Sequence, residues 1–193
     1  MTVSTTSVFP SHTIESAPAA ARRTMTATQD QWGYLPTAVA RLATSPRTLD
    51  GFLKLNGLFE ASTLDPVSRE VLVMTIATRN GCHICVAIHT KRLEAMDADP
   101  QLISALRARQ PLADPRLEAL RVFVHRVVDT TGDVGDDALR VLLAHGYTAE
   151  QALEVVLGIG TYTLSTFANR LTAAPLDAPL AAYAWDAHTS ASH

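Results

Sequence analysis

Residues 65–90 have the sequence DPVSREVLVMTIATRNGCHICVAIHT, which decides the fold class. Asp65 followed by Pro66 is a typical helix start, because the carboxylate can cap free backbone N–H groups and proline fits the first helical position. Residues 67–80 are apolar on almost every side, and their length together with the cap favours a buried central helix over a buried strand. A second helix is predicted over about residues 82–96, after a turn.

Similar start signals recur along the chain. They are Ser45-Pro46, Asp114-Pro115 and the capping-box pair of Thr148 and Gln151. The capping box opens a long apolar helix predicted over residues 149–171. Alternating polar and apolar strands bounded by hairpin turns are absent from the sequence. The sequence therefore predicts an all-α protein with about seven or eight helices.

The composition predicts one domain. The chain has 193 residues, of which 47% are hydrophobic, and this is enough to bury one sizeable core. We predict a flexible N-terminus at residues 1–13, a single helical domain at residues 14–175 and a weakly specified tail at residues 176–193.

The charge balance excludes two classes of partner. The chain has 16 Lys and Arg residues against 19 Asp and Glu residues, a net charge of -3, which fits neither a strongly basic nucleic-acid surface nor a polybasic membrane tether. No apolar run reaches the roughly 18 residues of a membrane span, and the first residues do not resemble a secretory signal. We therefore expect a cytoplasmic protein that binds neither nucleic acid nor membrane.

The two cysteines of the chain, Cys82 and Cys85, form a CxxC motif at the start of the second predicted helix. A disulfide that closes so short a loop removes little chain entropy, and cytosolic thiols are normally reduced, so the pair indicates chemistry more than a structural cross-link. His89 lies one turn beyond Cys85 on the same helix face, where its imidazole can accept a thiol proton.

Glu70 lies inside the buried apolar helix, where an unpaired carboxylate is costly. Paired with His89, it would hold the imidazole in one tautomer and stabilise its charged form. The two arguments about thiol acidity diverge, since the helix start favours a thiolate at Cys82 and the nearby base favours Cys85. We prefer Cys85, because a nearby base is the more direct means of activation.

The four residues form the pattern E-x11-C-x2-C-x3-H, which resembles that of the alkylhydroperoxidase AhpD-like group within the carboxymuconolactone decarboxylase family. The similarity extends over roughly residues 33–171 and includes GYLP at residues 33–36 and NRL at residues 169–171. The resemblance implies an all-helical fold that assembles into dimers, trimers or hexamers. It also implies a disulfide cycle that reduces a peroxide substrate without a bound cofactor.

The resemblance also implies roles for the four residues. Cys85 would be the peroxidatic thiol and Cys82 the resolving thiol, with His89 and Glu70 as the proton relay. An external dithiol, such as a lipoyl domain or a thioredoxin-like protein, would reduce the disulfide again.

His83 is a possible accessory residue. Members of the group often carry a second histidine directly before the second cysteine of the motif. Here that position is Ile84, and His83 stands one place earlier. We therefore predict that His83 points about a quarter-turn away from the relay.

Other interpretations of the motif stay open. The thiols could be buried as small hydrophobic groups, or the four residues could bind a metal such as zinc, although their spacing on one short helix gives a cramped tetrahedron. The chain could also be a non-redox decarboxylase or isomerase of the same family, whose decarboxylase members generally lack the CxxC motif. A binding protein switched by the disulfide is a third alternative.

Three features of the last predicted helix are attributed to packing. Gly158 and Gly160 are expected to permit close approach of another helix. Asn169 is expected to bond to a neighbouring helix or subunit and not to act in catalysis. The apolar stretch at residues 152–167 exceeds what a small monomer readily buries, which favours an interface between copies of the chain.

Overall fold

The computed structural model describes residues 8–186, and every regular element in this range is a helix. The α-helices in chain order are α1 (Ala19–Trp32), α2 (Thr37–Leu42), α3 (Pro46–Glu60), α4 (Pro66–Arg79), α5 (His83–Ala95), α6 (Pro100–Ala108), α7 (Pro115–Asp129), α8 (Gly135–Ala144) and α9 (Ala149–Leu171), followed by a 3-10 helix (Ala178–Tyr183). Eight of the α-helices have seven residues or more, so the predicted all-α class and helix number are confirmed. None of these helices is both long and apolar enough to cross a membrane.

Helix α4 is the centre of the fold. Its residues 70–78 are all buried, and it packs against α5, α6, α7 and α9. Asp65 caps the helix, because its Oδ1 accepts a hydrogen bond from the Ser68 N–H at 2.9 Å, and Pro66 lies in the first turn. A helix that is apolar on almost every side has to be covered on almost every side, which explains its position between four partners.

The three residues 80–82 connect α4 to α5 and fix where the CxxC motif begins. Gly81 has a φ of 64°, in the left-handed region that glycine adopts without strain. The N–H of Cys82 then donates to the carbonyl of Ala77 at 2.9 Å. Cys82 is consequently the N-cap of α5, and the helix begins at His83, one residue after the predicted start.

Helix α9 covers the predicted residues and packs against α3 and α4. Its capping box is formed in both directions. The hydroxyl of Thr148 accepts from the Gln151 N–H at 3.1 Å, and the side-chain oxygen of Gln151 accepts from the Thr148 N–H at 3.0 Å. The helix start could be predicted because both partners lie within four residues of sequence.

Close packing of α9 depends on one of its two glycines. A Cβ atom at Gly158 would lie 2.5 Å from the ring of Phe59 and 2.8 Å from Leu72, whereas a Cβ atom at Gly160 would meet nothing within 4 Å. The close approach predicted for both glycines therefore occurs at Gly158 alone.

Replacing Gly158 by alanine is expected to lower the free energy of unfolding by about 1–3 kcal/mol, because the added methyl group overlaps the Phe59 ring. Gly51→Ala is the matched control. Gly51 also lies inside a helix, but its Cβ position meets nothing within 4 Å. This control is expected to be neutral or stabilising by up to about 1 kcal/mol. Chemical denaturation followed by circular dichroism measures both, and equal losses would contradict the packing argument.

Two regions differ from the sequence analysis. It does not predict α6, although Asp99 caps that helix by accepting from the Gln101 N–H at 2.8 Å. Residues 176–186 belong to the predicted weakly specified tail, yet they contain the 3-10 helix, which packs on α5. Within this segment Trp185 Nε1 donates to the carbonyl of Arg107 at 3.0 Å. These contacts join distant parts of the chain, so local composition does not reveal them. Of the predicted termini, residues 1–7 and 187–193 lie outside the described residues.

Candidate active site

The CxxC motif places two reduced thiols side by side. The Sγ atoms of Cys82 and Cys85 lie 3.0 Å apart, within hydrogen-bond distance, and both cysteines are free. Their side chains are buried, with only 1% of Cys82 and 3% of Cys85 exposed. A disulfide needs the sulfurs at about 2.05 Å, so the reduced pair is about 1 Å from the separation of its oxidised form.

An ion-pair network centred on the buried side chains of Glu70 and His89 lies one helical turn away. The Nδ1 atom of His89 on α5 lies 2.6 Å from Oε2 of Glu70 on α4. The other carboxylate oxygen of Glu70 lies 3.1 Å from Nε of Arg92. Arg92 in turn donates to Glu60 at 2.7 Å. The carboxylate that the sequence predicts to be paired inside the protein is therefore held on both oxygens.

These contacts keep Glu70 ionised. Burial raises the pKa of the Glu70 carboxyl, but the His89 ring and the Arg92 guanidinium outweigh burial and hold this pKa below its ordinary value. An ionised carboxylate can only accept hydrogen bonds, so the contact to His89 requires a proton on Nδ1. Nε2 is then the nitrogen that remains for proton exchange.

Tyr162 on α9 packs against the His89 side of this network. Its ring meets the His89 ring edge-on, with centroids 5.2 Å apart, and its hydroxyl donates to Asn56 Oδ1 at 2.9 Å. Burial, followed by the charge of Glu70, raises the pKa of Tyr162, so the hydroxyl stays protonated. Tyr162 cannot be recognised from the sequence, because its contact with His89 joins α5 to a helix far along the chain.

The histidine and the thiols are neighbours without a direct bond. Within the described residues, no hydrogen bond joins the His89 ring to the sulfur of Cys82 or Cys85. Cys85 precedes His89 by one turn of α5, so the two side chains share a face of the helix. Proton exchange between them requires a bridging water or a small side-chain rotation.

The two thiols differ in acidity. The hydrogen bond from Cys85 lowers the pKa of Cys82 to about 7, against the opposing effect of burial. The backbone N–H groups of Ile84 and Cys85, at the start of α5, also lower this pKa. For Cys85, the same hydrogen bond, burial and the charge on Cys82 raise the pKa well above its ordinary value.

The resting charge lies on Cys82, because donors contact its sulfur. Within the described residues, the base expected to favour Cys85 makes no hydrogen bond to that sulfur, and Cys85 as the attacking thiol stays a prediction. A resting charge on Cys82 agrees with the stabilisation that a helix start gives to a thiolate. Because the two groups share a proton, they lose their protons as a coupled pair.

The reduced protein is expected to show one thiol that ionises near pH 7 and a second that ionises far above it. Ultraviolet absorbance of the thiolate, followed against pH, measures both steps. Cys85→Ala removes the donor, so the pKa of Cys82 is expected to rise towards about 8.5, the ordinary value. Cys85→Ser keeps a donor and is the control, in which the pKa stays low. The same pKa in both variants would contradict the assignment.

Two side chains from α9 contact the thiols. The amide Nδ2 of Asn169 lies 3.4 Å from the sulfur of Cys85 and 3.8 Å from that of Cys82. The hydroxyl of Ser165 lies 3.8 Å from the Cys85 sulfur. The sequence predicts only a packing role for Asn169. The signal for a role at the thiols is its polar side chain inside an apolar helix, within the NRL segment at residues 169–171.

The remaining sequence predictions concern His83 and a metal. His83 is the first residue of α5 and is exposed. The structure does not bring it into the Glu70–His89 network. Among residues 8–186, no group of three or more His, Cys, Asp or Glu side chains is arranged to hold a metal ion.

Comparison with known families agrees with the motif. Residues 46–124 match the model of the carboxymuconolactone decarboxylase family. This segment contains Glu70, Cys82, Cys85 and His89, so the resemblance predicted from the sequence is confirmed. None of the curated proteins matches the chain.

Several solved structures share the fold. The alkylhydroperoxidase AhpD core protein from Ralstonia eutropha JMP134, an uncharacterized peroxidase-related protein, is 20% identical with a TM-score of 0.79, covering 89% of this chain and 93% of its own. An uncharacterized peroxidase-related protein from Silicibacter sp. TM1040 is 19% identical with a TM-score of 0.71, covering 84% and 87%. A cysteine-to-alanine variant of the debrominase Bmp8, in complex with 2,3,4-tribromopyrrole, is 14% identical with a TM-score of 0.66, covering 83% and 87%. These likenesses establish the fold.

Proposed function

From the match to the carboxymuconolactone decarboxylase family over residues 46–124, we propose that this chain is a thiol-dependent hydroperoxide reductase that works through a Cys82–Cys85 disulfide cycle. The observation that carries the proposal is the pair of buried sulfurs 3.0 Å apart, one helical turn from a histidine held by a buried carboxylate. This arrangement combines a nucleophile, a second thiol to resolve it, and a proton relay.

In the first step, Cys85 attacks the peroxide. The Cys82 thiolate takes the Cys85 proton across the 3.0 Å contact, which moves the negative charge to Cys85. The Cys85 sulfur then forms a bond to the terminal peroxide oxygen, the O–O bond breaks, and the alkoxide leaves. The alkoxide becomes an alcohol by taking a proton that is relayed from solvent through Nε2 of His89, while Cys85 is oxidised to a sulfenic acid.

In the second step, Cys82 resolves the sulfenic acid. Its sulfur forms the S–S bond, the S–O bond of Cys85 breaks, and the hydroxyl leaves with the Cys82 proton as water. An external dithiol, which we place on a lipoyl domain or a thioredoxin-like protein, then reduces the disulfide by exchange. A reducing compartment such as the cytoplasm supplies such dithiols.

Rapid mixing of the reduced protein with hydrogen peroxide and with an organic hydroperoxide tests this proposal. Intact mass spectrometry is expected to show loss of both thiols with a mass decrease of about 2 Da, the two hydrogens of a new disulfide. The variant with serine at both positions is the control. Persistence of both thiols at high peroxide would overturn the proposal. Thiol loss with 2,3,4-tribromopyrrole but not with peroxides would replace it by a dehalogenase function.

We also propose that α9 joins two copies of the chain, as the resemblance implies an oligomer. One face of α9 exposes large apolar side chains: Leu153 is 74% exposed, Phe167 58% and Leu171 66%. Residues 153, 157, 160, 164, 167 and 171 on this face are uncharged and repeat at alternating intervals of four and three, the spacing of paired helices. Gly160 leaves a gap there, which Leu164 of an antiparallel second copy would fill.

Phe167→Glu is expected to dissociate the oligomer, because it places a charge within this uncharged face. Sedimentation velocity measures the change in mass. Val122→Glu is the control, since Val122 is 51% exposed on α7, outside the face, and its replacement is expected to leave assembly intact. A monomeric wild-type chain, or an unchanged oligomer in Phe167→Glu, would contradict the assignment of the interface.

A further inference from the structure

The last two turns of α9 are fixed to the turn that precedes the CxxC motif. Arg170 Nη1 donates to the carbonyl of Asn80 at 2.7 Å and to that of Gly81 at 3.0 Å. The side-chain amide of Asn80 donates in return to the hydroxyl of Thr166 at 2.9 Å. Three hydrogen bonds therefore connect the end of α9 to the residues that position Cys82.

This attachment brings one amide group to both sulfurs. Asn169 precedes Arg170, and its Nδ2 lies 3.4 Å from the Cys85 sulfur and 3.8 Å from the Cys82 sulfur. Both distances suit N–H donation to sulfur, whose radius is larger than that of oxygen. Asn169 thus faces the space between the two sulfur atoms, and its two amide hydrogens are available to them.

We propose that Asn169 is a catalytic residue of the thiol pair: its amide donates to the negative charge on sulfur as that charge passes from Cys82 to Cys85. The proposal rests on the proposed disulfide cycle for its place in turnover. The physical need is general, since a thiolate buried among apolar side chains is costly unless donors contact it. Arg170 is then a positioning residue, because it acts through Asn169 and the Asn80–Gly81 turn.

Other donors to the sulfurs do not replace this amide. The hydroxyl of Ser165 lies 3.8 Å from Cys85 and has no hydrogen bond to Cys82. The backbone N–H groups at the start of α5 stabilise Cys82 and stay with it. Apart from the cysteines themselves, Asn169 is the side chain among residues 8–186 with hydrogen bonds to both sulfurs between which the charge moves. The structure therefore assigns it a function that burial of the polar group alone does not explain.

Thiolate titration of the reduced protein tests the proposal without any peroxide. Asn169→Leu keeps the shape of the side chain and removes the donor, so the first ionisation is expected to move upward by about one pH unit, or about tenfold less thiolate at a fixed pH below the transition. Asn169→Asp places a negative charge beside the sulfurs and is expected to move the first ionisation to a still higher pH. Ser165→Ala is the control, with a smaller shift. The rate of alkylation by iodoacetamide should follow the same order.

The outcomes separate this proposal from the proposed function. Unchanged titration and alkylation in both Asn169 variants, with circular dichroism showing that they are folded, would overturn the role of Asn169. If the Asn169 variants show a shifted titration but the wild-type protein does not react with peroxide, the role of Asn169 is supported and the peroxidase cycle is overturned. Because Leu and Asp alter stability in different ways, a folding defect in one variant leaves the other as the test.

Discussion

Replacing Cys85 or Cys82 by serine is expected to abolish catalytic turnover of a hydroperoxide in the presence of a dithiol. The two variants fail at different steps. Cys85→Ser lacks the attacking sulfur and forms no sulfenic acid. Cys82→Ser lacks the thiolate that takes the Cys85 proton, so it forms the sulfenic acid slowly, and it stops there because no second thiol can condense with it. Intact mass after one exposure to peroxide distinguishes them, since only Cys82→Ser gains an oxygen atom.

The controls for this experiment are the doubly substituted chain and His89→Ala. The first sets the background, and the second is expected to retain turnover at a rate reduced by about 100-fold, the usual contribution of a proton-transfer group. An oxygen atom gained by Cys85→Ser and not by Cys82→Ser would reverse the two roles. Such a reversal would agree with the resting charge on Cys82. Full turnover by both variants would contradict the cycle altogether.

Glu70→Ala is expected to have the second largest effect, on stability and rate together. Removing a buried carboxylate leaves His89 and Arg92 without their shared partner, which we expect to lower the free energy of unfolding by roughly 3 kcal/mol. Without Glu70 to orient the His89 imidazole, thiol oxidation should also be slower by about 100-fold. Thermal unfolding and rapid mixing measure these effects. Glu60→Ala is the matched control, because Glu60 also binds Arg92 but is far more exposed, and its loss should leave the rate unchanged.

The contribution of Glu70 to the free energy of unfolding also has a defined pH dependence. Because the folded pKa of Glu70 lies below its ordinary value, its stabilisation is fully present above about pH 4.3, the value for an unfolded chain, and is lost as the pH falls through the folded pKa. The difference in Tm between the wild type and Glu70→Gln should therefore shrink on acidification. A difference that stays constant from neutral pH to strongly acidic pH would contradict an ionised Glu70.

The sequence predicted those parts of the fold that depend on local chemistry. The caps at Asp65 and Thr148 are contacts between residues three apart, and they located α4 and α9 correctly. The CxxC motif and His89 lie on one helix, so their mutual placement followed from helical geometry. Glu70 could be placed beside them because a carboxylate in a buried apolar helix needs a partner.

The other contributions to the site arise from tertiary contacts. Tyr162 and Asn169 reach His89 and the sulfurs only because α9 packs on the α4–α5 unit, and nothing local to either residue specifies that contact. The order of thiol acidity also depends on contacts in the folded chain. Hydrogen bonds within 4 Å of the sulfurs decide it, whereas the sequence offers two opposing arguments, the helix start at Cys82 and the histidine one turn beyond Cys85.

The attachment of α9 has a consequence for how the site assembles. Glu70, both thiols and His89 come from two consecutive helices, so their contacts close short loops and can form early in folding. Asn169 is separated from Cys85 by 84 residues and joins them only when the end of α9 docks. Local opening of the C-terminal end of α9 would therefore leave the thiols in place but without the hydrogen bonds from Asn169. Amide hydrogen exchange in the last turn of α9 would then report the fraction of molecules that are folded but chemically slow.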